Sequence, residues 1–178
     1  MPKNALDNPL VLPILGLLVE QPRHAYAVFS EVRSRYGYLE VRNATVYTLL
    51  DRLTAEGWVA ATGGAERDVL AVTDDGVAAL AQRVRKQLGA DLTGGPPFVT
   101  ALAYLGILPP SEAQAVLRER IGLVREEIAG LETATREAAT LEVHMIEAHY
   151  LLSRLHHDVE WLGRTADRIG DGELAWPQ

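Results

Sequence analysis

Cysteine is absent from this chain. Disulfide scaffolds, thiolate zinc sites and thiol redox sensing are therefore excluded, and a reducing cytoplasm is the expected compartment. Long apolar runs are missing too, since none reaches the roughly 18 residues of a membrane span. The first residues do not read as a secretory signal: Lys3 is their one basic residue, and Pro13 and Glu20 interrupt the apolar stretch. No glycine-rich phosphate loop, no nucleophile with a placed base and no HExxH run occurs. Gly94-Gly95-Pro96-Pro97 reads as a linker. These absences predict a cytoplasmic protein that is not an enzyme, with no cofactor and no membrane partner.

Basic charge is scarce as well. Lys and Arg number 17 against 24 Asp and Glu, a net charge of −7. The deficit is one-sided: residues 1–88 hold 10 basic and 10 acidic residues, and residues 89–178 hold 7 and 14. The N-terminal half is neutral rather than strongly basic, so any phosphate contacts there rest on few side chains. A chain of 178 residues can form one domain, or two small ones, with a real core.

What is present is concentrated in residues 41–76. Val46, Leu49, Leu50 and Leu53 fall at i, i+3, i+4 and i+7, the inward stripe of a helix. Its other face carries Asn43, Thr45, Tyr47, Thr48, Asp51 and Arg52, side chains that bond phosphates and base edges. Gly57 closes this helix. Trp58–Thr62 and Val69–Thr73 read as two short strands around a Gly63-Gly64 turn. Thr73 then caps a helix that runs to about Leu88, with Asp74 and Asp75 in its first turn. That order describes a helix-turn-helix followed by a β-wing.

Upstream, Asn8-Pro9 opens a first helix, and Gln21-Pro22 ends it. Pro13 removes one backbone donor early in that helix. The run Ile14–Val19 is apolar enough to be buried. His24–Tyr36 is the next helix, with Tyr26, Phe29 and Val32 toward the core and Gly37 as its stop.

Downstream, Thr93-Gly94-Gly95-Pro96-Pro97 breaks the chain into residues 1–92 and 93–178. A short apolar helix, Phe98–Gly106, follows, and Ser111 with Gln114 forms a capping box. Leu117, Ile121, Val124, Ile128 and Leu131 are spaced 4, 3, 4, 3. Leu141, Met145, Ala148, Leu152, Leu155, Val159 and Leu162 continue the same heptad spacing. Two such seams with a turn at Ala134–Thr140 predict an antiparallel hairpin. Val143, Ile146, Tyr150 and Trp161 then need a second surface, and the economical one is the hairpin of another copy. The second seam is taken as the dimer interface, and a dimer places two recognition helices on a palindrome. The fold class is mainly α: an α+β winged helix-turn-helix followed by a helical hairpin for dimerisation.

In these residues the chain resembles the PadR family of bacterial transcriptional regulators. The resemblance runs through Ile14-Leu15-Gly16-Leu17-Leu18 and His24-Ala25-Tyr26. It continues at Thr45-Val46-Tyr47-Thr48-Leu49-Leu50-Asp51-Arg52-Leu53, Glu56-Gly57 and Val72-Thr73-Asp74-Asp75-Gly76, with Glu160-Trp161-Leu162 near the end. It implies a homodimeric repressor that binds double-stranded operator DNA and releases it when a small molecule binds near the dimer interface. Two places depart from the family pattern. The wing reads Gly-Gly-Ala-Glu-Arg-Asp instead of a basic-aromatic run, and Arg42-Asn43-Ala44 replaces Ser-Pro-Gly before the recognition helix.

The DNA-contacting candidates are Tyr26, Arg42, Asn43, Thr45, Tyr47, Thr48, Arg52 and Arg67. Tyr47 is open to a plain packing role as well, and Arg42 and Arg52 to being solvated charges. His24 is structural, and the four other histidines share one helix with no i, i+4 pair, which argues against a metal site. His149 and His157, with Tyr150, Trp161 and Tyr104, are candidates to line a site for an aromatic or drug-like effector between the two halves. Dimer core is the competing reading of the same residues. A winged-helix scaffold or ligand-binding module with weak or no DNA binding is the alternative function, kept open by the acidic wing.

Overall fold

The computed structural model describes residues 5–62, 69–90 and 92–177. These residues form two compact units, Met1–Gln87 with Pro96–Ile107, and Leu88–Gly95 with Leu108–Gln178. The break at Thr93–Pro97 is therefore not a simple border, because the segment after it returns to the first unit.

In the first unit, helix α1 spans Val11–Glu20, α2 Ala25–Arg35, α3 Asn43–Ala55, α4 Asp74–Ala90 and α5 Pro96–Ala103. The last turn of α4 lies beyond Gln87 and is assigned to the second unit. Strands β1 (Arg23–His24), β2 (Val59–Thr62) and β3 (Val69–Val72) make one antiparallel sheet in the order β1-β3-β2. The register of the wing pair runs from Val59 opposite Val72 to Thr62 opposite Val69. The two-residue β1, paired through Arg23 with Leu70 and His24 with Val69, carries no sequence signal of its own. It occupies the start of the expected His24–Tyr36 helix, so α2 begins at Ala25.

Helix α1 is buried on every side from Val11 to Leu18 because α2, α3, α5 and β3 all pack against it. That explains its unbroken apolar composition. It starts two residues later than Asn8-Pro9 suggested, since Asn8 acts ahead of the helix: its side-chain oxygen accepts from the Leu10 amide at 2.9 Å. At Gly16 the helix meets the ring of Tyr104, and an added Cβ would lie 2.2 Å from Tyr104 Cε1. Tyr36 donates its phenol hydrogen to the Tyr104 oxygen at 2.6 Å, and Tyr38 and Thr100 share a hydroxyl contact at 3.1 Å. Burial is the leading cause that pushes both the Tyr36 and Tyr104 phenols above their ordinary value. A raised folded pKa adds stability that is present below the unfolded phenol value of about 10 and is lost as pH rises past it. Ultraviolet titration should accordingly find two of the six tyrosines ionising only as the first unit unfolds. Six ordinary titrations would mean the pair is open to water.

Two motif residues are explained by the junction between wing and helix. Gly57 adopts φ 76°, and the amides of Trp58 and Gly57 donate to the carbonyls of Leu53 and Thr54 at 2.9 and 3.0 Å. This is a Schellman stop, which favours glycine. Thr73 accepts from the Gly76 amide at 3.1 Å and donates to the Gly57 carbonyl at 2.6 Å, so it caps α4 and ties it to the end of α3. Gly37 directly follows Tyr36, the C-cap of α2, but does not take the positive φ of such a stop.

The second unit is an antiparallel pair, α6 (Pro110–Glu137) and α7 (Ile146–Gly170), the latter preceded by a 3-10 turn at Glu142–Met145. Leu117, Ile121, Val124 and Ile128 from α6 and Leu155, Leu162, Ala166 and Ile169 from α7 are among its buried residues. Leu92, Leu131, Leu152 and Val159 pack around Val124, Ile128 and Leu155. Ser111 and Gln114 do not form the expected capping box, as Pro109 is the N-cap and makes no side-chain bond. Gln114 reaches across instead and donates to the Ala166 carbonyl at 2.9 Å. Arg120, though 1 % exposed, donates to the Leu88 carbonyl. Trp176 closes the base of the hairpin by donating to the Leu108 carbonyl at 2.8 Å.

Candidate nucleic-acid interface

Helix α3 buries Val46, Leu49, Leu50 and Leu53, and these four fix its roll. The roll leaves Asn43, Ala44, Tyr47, Thr48, Asp51 and Arg52 exposed, with Thr45 half-buried. Thr48 donates its hydroxyl back to the Ala44 carbonyl at 2.9 Å, so its outward capacity is as an acceptor. An open cleft of about 420 Å³ lies at the start of the helix, lined by Asn8, Leu39, Glu40, Arg42 and Thr45 among others. Tyr26 on α2 is 67 % exposed, not directed to the core as its spacing with Phe29 and Val32 suggested. The core positions of α2 are Val28 and Val32. Its exposure suits the contact role assigned to Tyr26.

The charges around α3 are largely engaged. Glu20 holds Arg35 at 2.8 Å and Arg23 at 3.2 Å, and Glu31 takes the other side of Arg35 at 2.8 Å. Arg42 is paired with Glu40. Arg83 stacks over the Trp58 ring, 5.5 Å from its centroid, and burial lowers its pKa. Arg52 makes no ion pair among the described residues. The described wing strands carry no basic residue. Arg67, with the turn glycines Gly63 and Gly64, lies outside the described residues. Glu40 was not singled out by sequence reasoning, although its place two residues before Arg42 was the available signal.

The effector and dimer candidates fall into separate environments. Tyr104 is buried in the first unit against Gly16 and Tyr36. His149, Tyr150, His157 and Trp161 are exposed on α7. Leu155 and Leu162, expected at the dimer interface, are buried inside the hairpin itself, and Leu152 and Val159 pack on the same cluster. The reason is geometric: the heptad seam faces α6, its nearest apolar partner. Met145 and Ala148 are half-buried. The apolar residues left outside are Leu141, Val143, Ile146 and Tyr150, at 68, 61, 61 and 63 % exposure, with Leu151 and Trp161. Ile146, Tyr150, His157 and Trp161 are spaced 4, 7 and 4, one stripe along the helix. A small apolar cleft of about 90 Å³ in the same unit is lined by Leu92, Glu127, Leu131, Leu151, Arg154 and Leu155. No group of metal-ligating side chains and no helix long and apolar enough to cross a membrane occurs among the described residues.

A helical core, a two-stranded wing and a third helix whose polar side faces outward define a winged helix-turn-helix domain. Residues 14–82 match the transcriptional regulator PadR-like family. No curated protein matches the chain in sequence. Among solved structures it is similar to Bacillus subtilis PadR in complex with operator DNA, at 19 % identity and TM-score 0.41, covering 91 % of this chain and 99 % of that one. It is also similar to the same Bacillus subtilis protein in complex with p-coumaric acid, at 19 % identity and TM-score 0.43, covering 92 % and 99 %. The Vibrio cholerae virulence activator AphA is similar at 18 % identity and TM-score 0.39, covering 91 % and 98 %.

Proposed function

We propose that this protein is a homodimeric transcriptional repressor that binds a palindromic operator through α3 and releases it when an aromatic or drug-like small molecule binds. The observation that carries the reading is the division of α3. Its apolar stripe is wholly buried, while Asn43, Tyr47, Thr48 and Arg52 are exposed on the other side. A helix built in this way can enter a major groove without giving up any packing. The exposed apolar stripe of α7 supports the dimer, because an uncovered patch of this kind on a monomer marks an interaction surface. The same unit supplies Trp161, Tyr150 and the leucine-lined cleft for an apolar effector.

The test is a gel-shift titration with DNA from immediately upstream of the protein's own coding region. Tyr47→Ala and Arg52→Ala should each weaken binding by about 1–3 kcal/mol with fold and assembly unchanged. The salt dependence should be shallow, because few cations are free to displace counterions. Unchanged binding in both variants would assign DNA contact to another surface. No binding by the wild type would favour the scaffold or ligand-binding alternative. For the effector, aromatic compounds that release the DNA should also change Trp161 fluorescence.

A further inference from the structure

Resting on the DNA-binding reading, we infer that Glu40 is a built-in competitor of DNA phosphate for Arg42 and so sets the affinity of the α3 surface. The segment before α3 is extended, with Arg42 at φ −109° and ψ 137° as the N-cap residue. In such backbone, alternate side chains share a side. Val41 turns inward, half-buried, while Glu40 and Arg42 emerge together, each side chain 76 % exposed. Arg42 Nε donates to Glu40 Oε1 at 2.9 Å, and Nη2 donates to the same oxygen. The first turn of α3 has no acidic residue, and Arg42 makes no side-chain cap.

A helix N-terminus carries partial positive charge and favours an anion. Glu40 lies three residues ahead of α3 and satisfies the Arg42 guanidinium there. Its carboxylate therefore stands where a backbone phosphate would have to bind to use Arg42. DNA must displace Glu40 from Arg42, and the displaced carboxylate then faces the phosphates. A neutral amide in place of the carboxylate removes the repulsion and weakens the hold on Arg42. Because the pair is exposed, exchange needs only rotation of two side chains and no change in fold.

The experiment is fluorescence anisotropy with two labelled 30-base-pair duplexes, one from the protein's own upstream region and one of random sequence, at several salt concentrations. Glu40→Gln should tighten binding about three- to tenfold at low salt. It should also steepen the salt dependence by about one unit of slope, since a free Arg42 releases one more counterion. On an Arg42→Ala background the same substitution should give less than half that gain. Glu126→Gln on α6, which changes net charge equally, should bind as the wild type does. An unchanged or weakened Glu40→Gln overturns the inference, and so does a gain that persists in full without Arg42 or appears equally in Glu126→Gln. If the wild type binds only the random duplex, the operator reading fails while the Glu40 comparison still decides this inference. If it binds neither duplex, both fail.

Discussion

Gly76→Ala is expected to destabilise the winged-helix unit by about 3 kcal/mol, the upper part of the range for overpacking a close-packed site. An added Cβ would lie 2.1 Å from the carbonyl oxygen of Trp58 and 2.6 Å from Val72 Cγ2. A flexible side chain can move aside, but this neighbour is backbone. The Trp58 carbonyl also accepts from the Thr73 amide at 3.0 Å, so withdrawing it breaks the bond that joins wing to helix. The first turn of α4 would have to lift away, and Gly76 would lose its amide bond to Thr73. Urea unfolding followed by Trp58 fluorescence measures the loss. Gly89→Ala, where nothing lies within 4 Å of the new Cβ, is the matched comparison and should be neutral or slightly stabilising. A loss under about 1 kcal/mol at Gly76, below the usual overpacking cost, would mean that α4 can start farther from Trp58.

The second large effect separates two sides of one helix. Leu162 is wholly buried between α7 and α6, whereas Ile146 on the same helix is 61 % exposed. Leu162→Asp removes a packed side chain and puts a carboxylate in its place, a cost on the order of 5 kcal/mol. Set against a total stability of about 5–15 kcal/mol, that is enough to unfold the hairpin. Ile146→Asp should cost the monomer under about 0.5 kcal/mol, yet place a charge in the proposed dimer interface. Circular dichroism should therefore show lost helix in the first variant only. Light scattering should show the second as a folded monomer where the wild type is a dimer. A wild type that is monomeric at micromolar concentration, or an Ile146→Asp that stays dimeric, would move the interface elsewhere.

Much of the winged helix is legible along the chain because its determinants are local. The i, i+3, i+4, i+7 stripe orients α3, Gly57 meets a positive-φ stop, and Thr73 caps the helix that follows. The same locality makes Asn43, Tyr47, Thr48 and Arg52 readable as an outward face. Gly76 was readable as part of a motif, but its reason was not, since the atom that forbids a side chain belongs to Trp58.

Periodicity determines which residues share a face, and that much followed from the sequence alone: a buried first helix, an amphipathic α3 and two heptad seams. What each face meets was decided only in three dimensions. The α7 seam closes on α6 within one chain and leaves the flanking Val143, Ile146, Tyr150 and Trp161 outside. Residues 96–107 return across the linker to place Tyr104 on Gly16 and Tyr36. Gln114 serves the far end of α7 instead of its own helix start. These contacts join residues from about 50 to nearly 90 positions apart. They arise because apolar area is buried against the nearest available surface and each buried polar group takes whatever partner lies within reach, and neither distance is encoded in any local pattern.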